Sequence, residues 1–141
     1  MTGKEYMKQI RDIRREIRLL EEQILRQEVY ASNAKAIRYD LDKVQTSPVG
    51  DSMAVIVSDI VESTHKLRDM IVRLMKKEDE ARMYLIQLRE EQERAIVLHY
   101  FDGLNWDDVA DHMGYSISRV YEIKNEGLNE LTEILKCRKE S

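Results

Sequence analysis

The stretch from Trp106 to Ile123 confines the fold more tightly than any other part of the chain, because small, apolar and turn-forming residues fall where two helices must cross closely. Ala110 stands at the crossing, where a larger side chain would hold the helices apart. Gly114 stands in the turn, where φ > 0 strains any other residue. Val109, Met113, Val120 and Ile123 then form a shared core. Each helix also has a start signal. Asn105 followed by Asp108 fits a reciprocal cap, and Ser116 can accept a backbone N–H at the mouth of the second helix. Caps and core agree on one register, that of a helix-turn-helix; the same residues also suit an αα-hairpin that touches no nucleic acid.

Upstream, Leu88 to Leu104 reads as a preceding helix with Ile96, Val97 and Tyr100 facing inward, stopped at Asp102-Gly103 by a glycine just past its end. The run Glu93-Arg94, Tyr100 to Leu104, Trp106, Asp108-Val109-Ala110, Met113 to Ser116, then Gly127-Leu128 and Leu131, resembles region 4 of bacterial sigma factors. The resemblance covers residues 88 to 135 and implies double-stranded DNA and RNA polymerase as partners. The remainder, an N-terminal helix, the linker Asp42 to Asp51 and a long second helix, is similar to small phage and prophage proteins with sigma-like C-termini. These are late-gene transcription regulators of the ArpU and RinA type, which implies control of phage or prophage genes.

A length of 141 residues allows one compact domain or two small ones, and 35% charged residues with one proline indicate a mostly helical chain. Cys137 is the one cysteine, and no apolar run reaches the length of a membrane span, so the expected setting is a reducing cytoplasm, away from membrane; the resemblance to phage regulators implies that of a bacterial host cell. His65, His99 and His112 lack metal-ligand spacing, and there is no glycine-rich phosphate loop or nucleophile elbow. The sequence therefore predicts neither an enzyme nor a metal or cofactor site.

From the N-terminus, Tyr6, Ile10, Ile13, Ile17, Leu20 and Ile24 recur at alternating intervals of four and three, the apolar seam of a coiled coil. This predicts a helix over about 4–31. The pattern loses phase near Ser32-Asn33, and Ser47 to Asp51 close a linker over about 32–52 that retains some helix around Ala34 to Leu41. A second long helix has its seam at Met53, Val57, Ile60, Thr64, Leu67, Ile71, Leu74, Ala81, Leu85 and Leu88. Ile56, Val61, Met70 and Met75 widen that face beyond the needs of a two-stranded coil, and the methionines read as core. The fold class is all-α: a helical hairpin or coiled-coil region over 1–87, followed by a sigma region 4-like helix-turn-helix domain over 88–141. The helices of the first region pair either within one chain or between chains. A thin two-helix core favours a homo-oligomer, a dimer or higher, through Ile13, Ile17, Leu20, Ile60, Leu67 and Ile71.

Charge complicates DNA binding, since seven basic residues stand against twelve acidic ones from residue 87 onward and phosphate neutralisation supplies most non-specific affinity. The first helix offers compensation in Lys4, Lys8, Arg11, Arg15 and Arg18, a basic stripe opposite its apolar seam; Lys8, Arg11, Arg15 and Arg18 are candidate backbone contacts, unless the stripe is simply solvated. In the recognition helix, Ile117, Ser118, Arg119, Tyr121, Glu122 and Asn125 occupy outward positions around the buried Val120 and Ile123. Arg119 suits guanine O6 and N7, Asn125 adenine and Glu122 cytosine N4, while Ser116 and Lys124 suit phosphates. Asp107, Asp108 and Asp111 are candidate polymerase contacts by the sigma resemblance; Asp107 and Asp108 equally complement a helix dipole. Two functions follow: a sequence-specific DNA-binding regulator acting with polymerase, or a module that docks on polymerase in place of sigma region 4 and inhibits or redirects it without reading DNA.

Overall fold

A computed structural model describes residues 1–41 and 49–140, side chains being described for 1–34 and 52–138. The described residues form five helices and no strand: α1 (Gly3–Leu41), α2 (Val49–Leu85), α3 (Glu90–Tyr100), α4 (Trp106–Met113) and α5 (Ile117–Glu140). The all-α expectation holds. The chain divides into two units, Met1–Arg14 with Arg73–Ser141, and Arg15–Val72.

In the first unit, the opening turns of α1 join the C-terminal helices in one core. Tyr6, Met7 and Ile10 of α1 are buried with Ala81 and Leu85 of α2, Ile96 and Tyr100 of α3, and Leu128, Leu131 and Leu135 of α5. The fit of α1 against α5 is close: a Cβ at Gly3 would collide with the Leu128 carbonyl oxygen, and the Gly3 N–H donates to Thr132 Oγ1 at 2.8 Å. Gly127 likewise lets α5 approach α3, since a Cβ there would lie 3.0 Å from Ile96 Cδ1. Polar clamps lie over this core. Tyr6 Oη donates to Glu80 at 3.0 Å, Arg138 pairs with the same carboxylate at 2.9 Å, and Arg14 pairs with Glu78. A second cluster, Ala95, Leu98, Val109, Ala110, Val120 and Ile123, ties α3, α4 and α5 together.

In the second unit, residues from Glu16 to Arg26 of α1 and Lys66 to Met70 of α2 line one groove, so the two helices lie side by side. They run antiparallel of necessity, because the seven residues between them reach at most about 25 Å whereas this part of α1 is roughly 40 Å long. The protected positions of α1 continue the predicted seam through Ile17, Leu20 and Ile24 to Gln27, Ala31 and Ala34. The helix does not end near residue 31. Ser32 and Asn33 fall on its exposed side, where neither interrupts packing, and α1 runs on to Leu41; α2 begins at Val49, before the predicted end of the linker. Residues 42–48 of that linker lie outside the described residues.

The seam of α2 also differs from its predicted course. Protection falls on Met53, Ile56, Ile60, Ser63, Leu67 and Met70. Val57 and Val61 are 51% and 50% exposed, Thr64 is exposed, and Ile71 is 38% exposed. The sequence shows one broad apolar face, and a single antiparallel partner covers only one edge of it. Met75, expected in the core, is 59% exposed at the start of the other unit's portion of α2.

Candidate nucleic-acid interface

Short-range hydrogen bonds set the three C-terminal helices at fixed angles. Gln92 folds back from the first turn of α3 to accept from the Arg89 N–H at 3.3 Å. At the far end the N–H groups of Phe101 and Asp102 both reach the Val97 carbonyl, and Gly103 takes φ 78° to turn the chain out. Asn105 Oδ1 then accepts from the Asp108 N–H at 2.8 Å and starts α4, the forward half of the expected reciprocal cap; no return bond from the Asn105 N–H to the Asp108 carboxylate is present among the described residues. Gly114, at φ 74° and ψ 28°, closes α4 in the left-handed region, and the Tyr115 N–H bonds back to the Ala110 carbonyl at 3.0 Å. Ser116 Oγ accepts from the Arg119 N–H at 3.2 Å and starts α5. Val109, Ala110, Val120 and Ile123 are buried between the helices, with Met113 half-buried beside them.

This packing turns one face of α5 outward. Ser116, Ile117, Ser118, Tyr121, Glu122 and Asn125 are exposed; Arg119 and Lys124 are half-buried. Arg119 has intrachain partners: Nη1 donates to Glu122 Oε2 at 3.1 Å and Nη2 lies 3.7 Å from Glu91 Oε1. Tyr115 Oη donates to the other oxygen of Glu91 at 3.4 Å. The outward position was readable from helical periodicity. The carboxylate from α3 was not, because it arrives from twenty-eight residues upstream.

Lys124 sits at the edge of this face with its Nζ 4.8 Å from the Trp106 ring centroid and 4.7 Å from that of Tyr121. The Trp106 indole stacks on the imidazole of His99, which is only 6% exposed. His99 Nδ1 lies 2.6 Å from the Leu104 carbonyl, which can only accept, so Nδ1 carries the proton and Nε2 presents a lone pair. Arg11 Nη1 donates to that lone pair at 3.3 Å. Burial pushes the His99 pKa down, the Leu104 carbonyl opposes, and the charges of Arg11 and Lys124 push it further down. The histidine is a neutral structural hub. Sequence reasoning noted it only as lacking metal partners; its position one residue before a buried tyrosine in an apolar helix was the available signal.

The remaining candidates are distributed between the units. Lys8 and Arg11 lie exposed on the first unit's part of α1, while Arg15 and Arg18 lie exposed on the second unit's part. Asp107, Asp108 and Asp111 are exposed along α4. The first two sit in its first turn, where carboxylates complement the helix dipole; Asp111 lies past it. Among the described residues no group of His, Cys, Asp and Glu is placed to hold a metal ion, and no helix is long and apolar enough to cross a membrane.

No curated protein and no solved structure matches the chain. Residues 84–133, from the end of α2 through most of α5, match the family model of Sigma-70, region 4, a family of DNA-binding regulatory helix-turn-helix domains, and the match spans about a third of the chain.

Proposed function

We propose that this chain is a sequence-specific DNA-binding regulator of phage or prophage transcription, acting with RNA polymerase in the cytoplasm of a bacterial host. The observation that carries the reading is the exposed face of α5 from Ser116 to Asn125, presented by a capped helix-turn-helix within the segment that matches sigma region 4. Ile117, Ser118, Arg119, Tyr121, Glu122 and Asn125 enter the major groove, and Ser116 and Lys124 position the helix on phosphates. The phage assignment draws on the resemblance of the two long helices and their linker to late-gene regulators. Selection of bound duplexes from fragmented host and phage DNA tests the reading directly: an enriched common site supports it, and recovery of unrelated fragments in proportion to their abundance refutes it.

Self-association through the first two helices belongs to the same reading. Val57, Val61, Ile71 and Val72 leave an apolar stripe on α2 beside the seam that faces α1. A second copy of α2 laid antiparallel would cover the stripe, an arrangement suited to a two-fold dimer. Arg15 and Arg18 then extend a basic surface outside the paired helices.

A polymerase-docking module that reads no DNA is favoured by two observations, the exposed carboxylates of Asp107, Asp108 and Asp111 and the engagement of Arg119 by Glu91 and Glu122. Under this alternative, polymerase binding survives every change on the outer face of α5 and fails on changes in α4.

A further inference from the structure

Most basic side chains around the C-terminal helices are neutralised within the chain. Arg14 pairs with Glu78, Arg89 with Glu126, Arg119 with Glu91 and Glu122, Lys136 with Glu133 and Arg138 with Glu80. Lys4, Lys8 and Arg11 of α1 and Lys124 of α5 form no ion pair among the described residues. These four belong to one unit, and a line of contacts joins Arg11 to Lys124. Arg11 donates to His99, His99 stacks on Trp106 at 4.0 Å, and Lys124 lies over Trp106. Lys4 is near enough to Lys124 for its charge to push the Lys124 pKa down, after burial, and no carboxylate acts in the opposite sense. At 3.6 residues per turn Lys4, Lys8 and Arg11 fall within an arc of about 60° on α1, so they present their charges on one side.

Like charges held together and free of ion pairs suit an anion, and the placement of this group points to its ligand. Lys124 touches both the aromatic platform and Tyr121, a residue 42% exposed on the outward face of α5. We infer that Lys4, Lys8, Arg11 and Lys124 form a single ridge that grips the phosphate backbone of duplex DNA beside the reading helix. Lys4 to Arg11 span roughly 10 Å of helix, about three successive phosphates of one strand. The ridge supplies the positive charge that the acidic C-terminal residues lack, and it makes the first turns of α1 part of the DNA-binding unit as well as of its core. This rests on the proposed DNA-binding function.

The test uses the full-length protein, a mixed-sequence duplex, a duplex selected from a random library, and fluorescence anisotropy over a salt series. In the combined variant Lys4→Gln, Lys8→Gln, Arg11→Gln, Lys124→Gln, affinity for both duplexes falls by the same factor, at least about ten-fold at low salt. The slope of log affinity against log salt shrinks by roughly two to four, at about 0.9 per lost phosphate contact. Lys8→Glu alone, at an exposed residue without a side-chain partner, removes nothing from the fold and shows the same effect in smaller measure. Arg89→Gln, at an ion-paired site away from the ridge, changes neither quantity. Unchanged affinity and slope in both ridge variants overturn the ridge while leaving the reading helix standing if the wild type still prefers the selected duplex. Equal wild-type binding to both duplexes, lost in the ridge variants, upholds the ridge and overturns sequence reading. Weakened binding to RNA polymerase with DNA binding intact assigns the ridge to an acidic protein surface and overturns it as a DNA site.

Discussion

The imidazole of His99 stacks on the indole of Trp106 with centroids 4.0 Å apart and planes 16° from parallel, so a residue from the end of α3 fixes the first residue of α4. The stack also joins α1 to α5, because Arg11 bonds to the imidazole and Lys124 lies over the indole. A single neutral ring therefore helps set the angle between α4 and α5.

Stability consequently depends on pH through His99. Burial first, then Arg11 and Lys124, hold its folded pKa below the ordinary value of 6.5. The unfolded chain takes up the proton first as pH falls, so the contribution of His99 is complete above about 6.5 and is lost progressively as pH drops towards the folded pKa. Thermal melts from pH 7.5 downward check this: Tm falls below about pH 6.5 in the wild type, and His99→Phe, which keeps a ring against Trp106, flattens that part of the profile.

Gly3→Ala tests whether the opening turns of α1 are part of the C-terminal core. Its added methyl meets the Leu128 carbonyl, a backbone atom that cannot swing aside, so α1 must lift from α5. A loss of about 1–3 kcal/mol is expected from chemical denaturation. Ala at an exposed helical position has no such effect, and a neutral result at Gly3 means that α1 does not dock there in solution.

Local chemistry made much of this architecture legible from the chain alone. Asn105, Gly114 and Ser116 announce the ends of α4 and α5 because caps and left-handed turns depend on residues within three or four positions. The seam of α1 was equally plain. Docking of Tyr6 and Met7 onto α5 was not, because it joins residues more than a hundred positions apart and no local pattern encodes such a contact. The adjacent apolar pair was a hint, being wider than a strict three-four seam requires. The pairing of Arg119 with Glu91 was hidden for the same reason, and so was the approach of Lys4 to Lys124. Ser32-Asn33 misled in the opposite way: two poor helix formers on an exposed face cost too little to end a helix whose buried face continues.

Two aspartate substitutions separate the seam within the chain from the stripe proposed to join two chains. Ile17 is 8% exposed, so Ile17→Asp buries an unpaired charge and destabilises the hairpin by about 3–5 kcal/mol, visible as lost helix content in circular dichroism. Val61 is 50% exposed, so Val61→Asp leaves the helix content intact. Sedimentation at tens of micromolar then decides: the wild type runs as a dimer or higher and Val61→Asp as a folded monomer. A wild-type monomer sinks the self-association proposal.

Arg119 distinguishes DNA reading from polymerase docking most directly. Its guanidinium lies at the start of α5, held by Glu122 and Glu91 at the surface, where exposed ion pairs are weak enough to exchange for another partner. A bidentate bond to guanine O6 and N7 is such a partner, and its planar fork suits Arg119 better than two carboxylates from different helices do. Arg119→Ala therefore keeps the fold and loses roughly ten-fold to hundred-fold in affinity for the selected site, with much less loss on unrelated duplexes. Glu91→Gln acts in reverse: with one competing carboxylate removed, affinity for the selected site rises, and transcription from the target promoter rises with it. If Arg119→Ala keeps full sequence preference while Asp107→Asn, Asp108→Asn and Asp111→Asn together abolish polymerase binding, the outer face of α5 does not read bases and α4 is the functional surface.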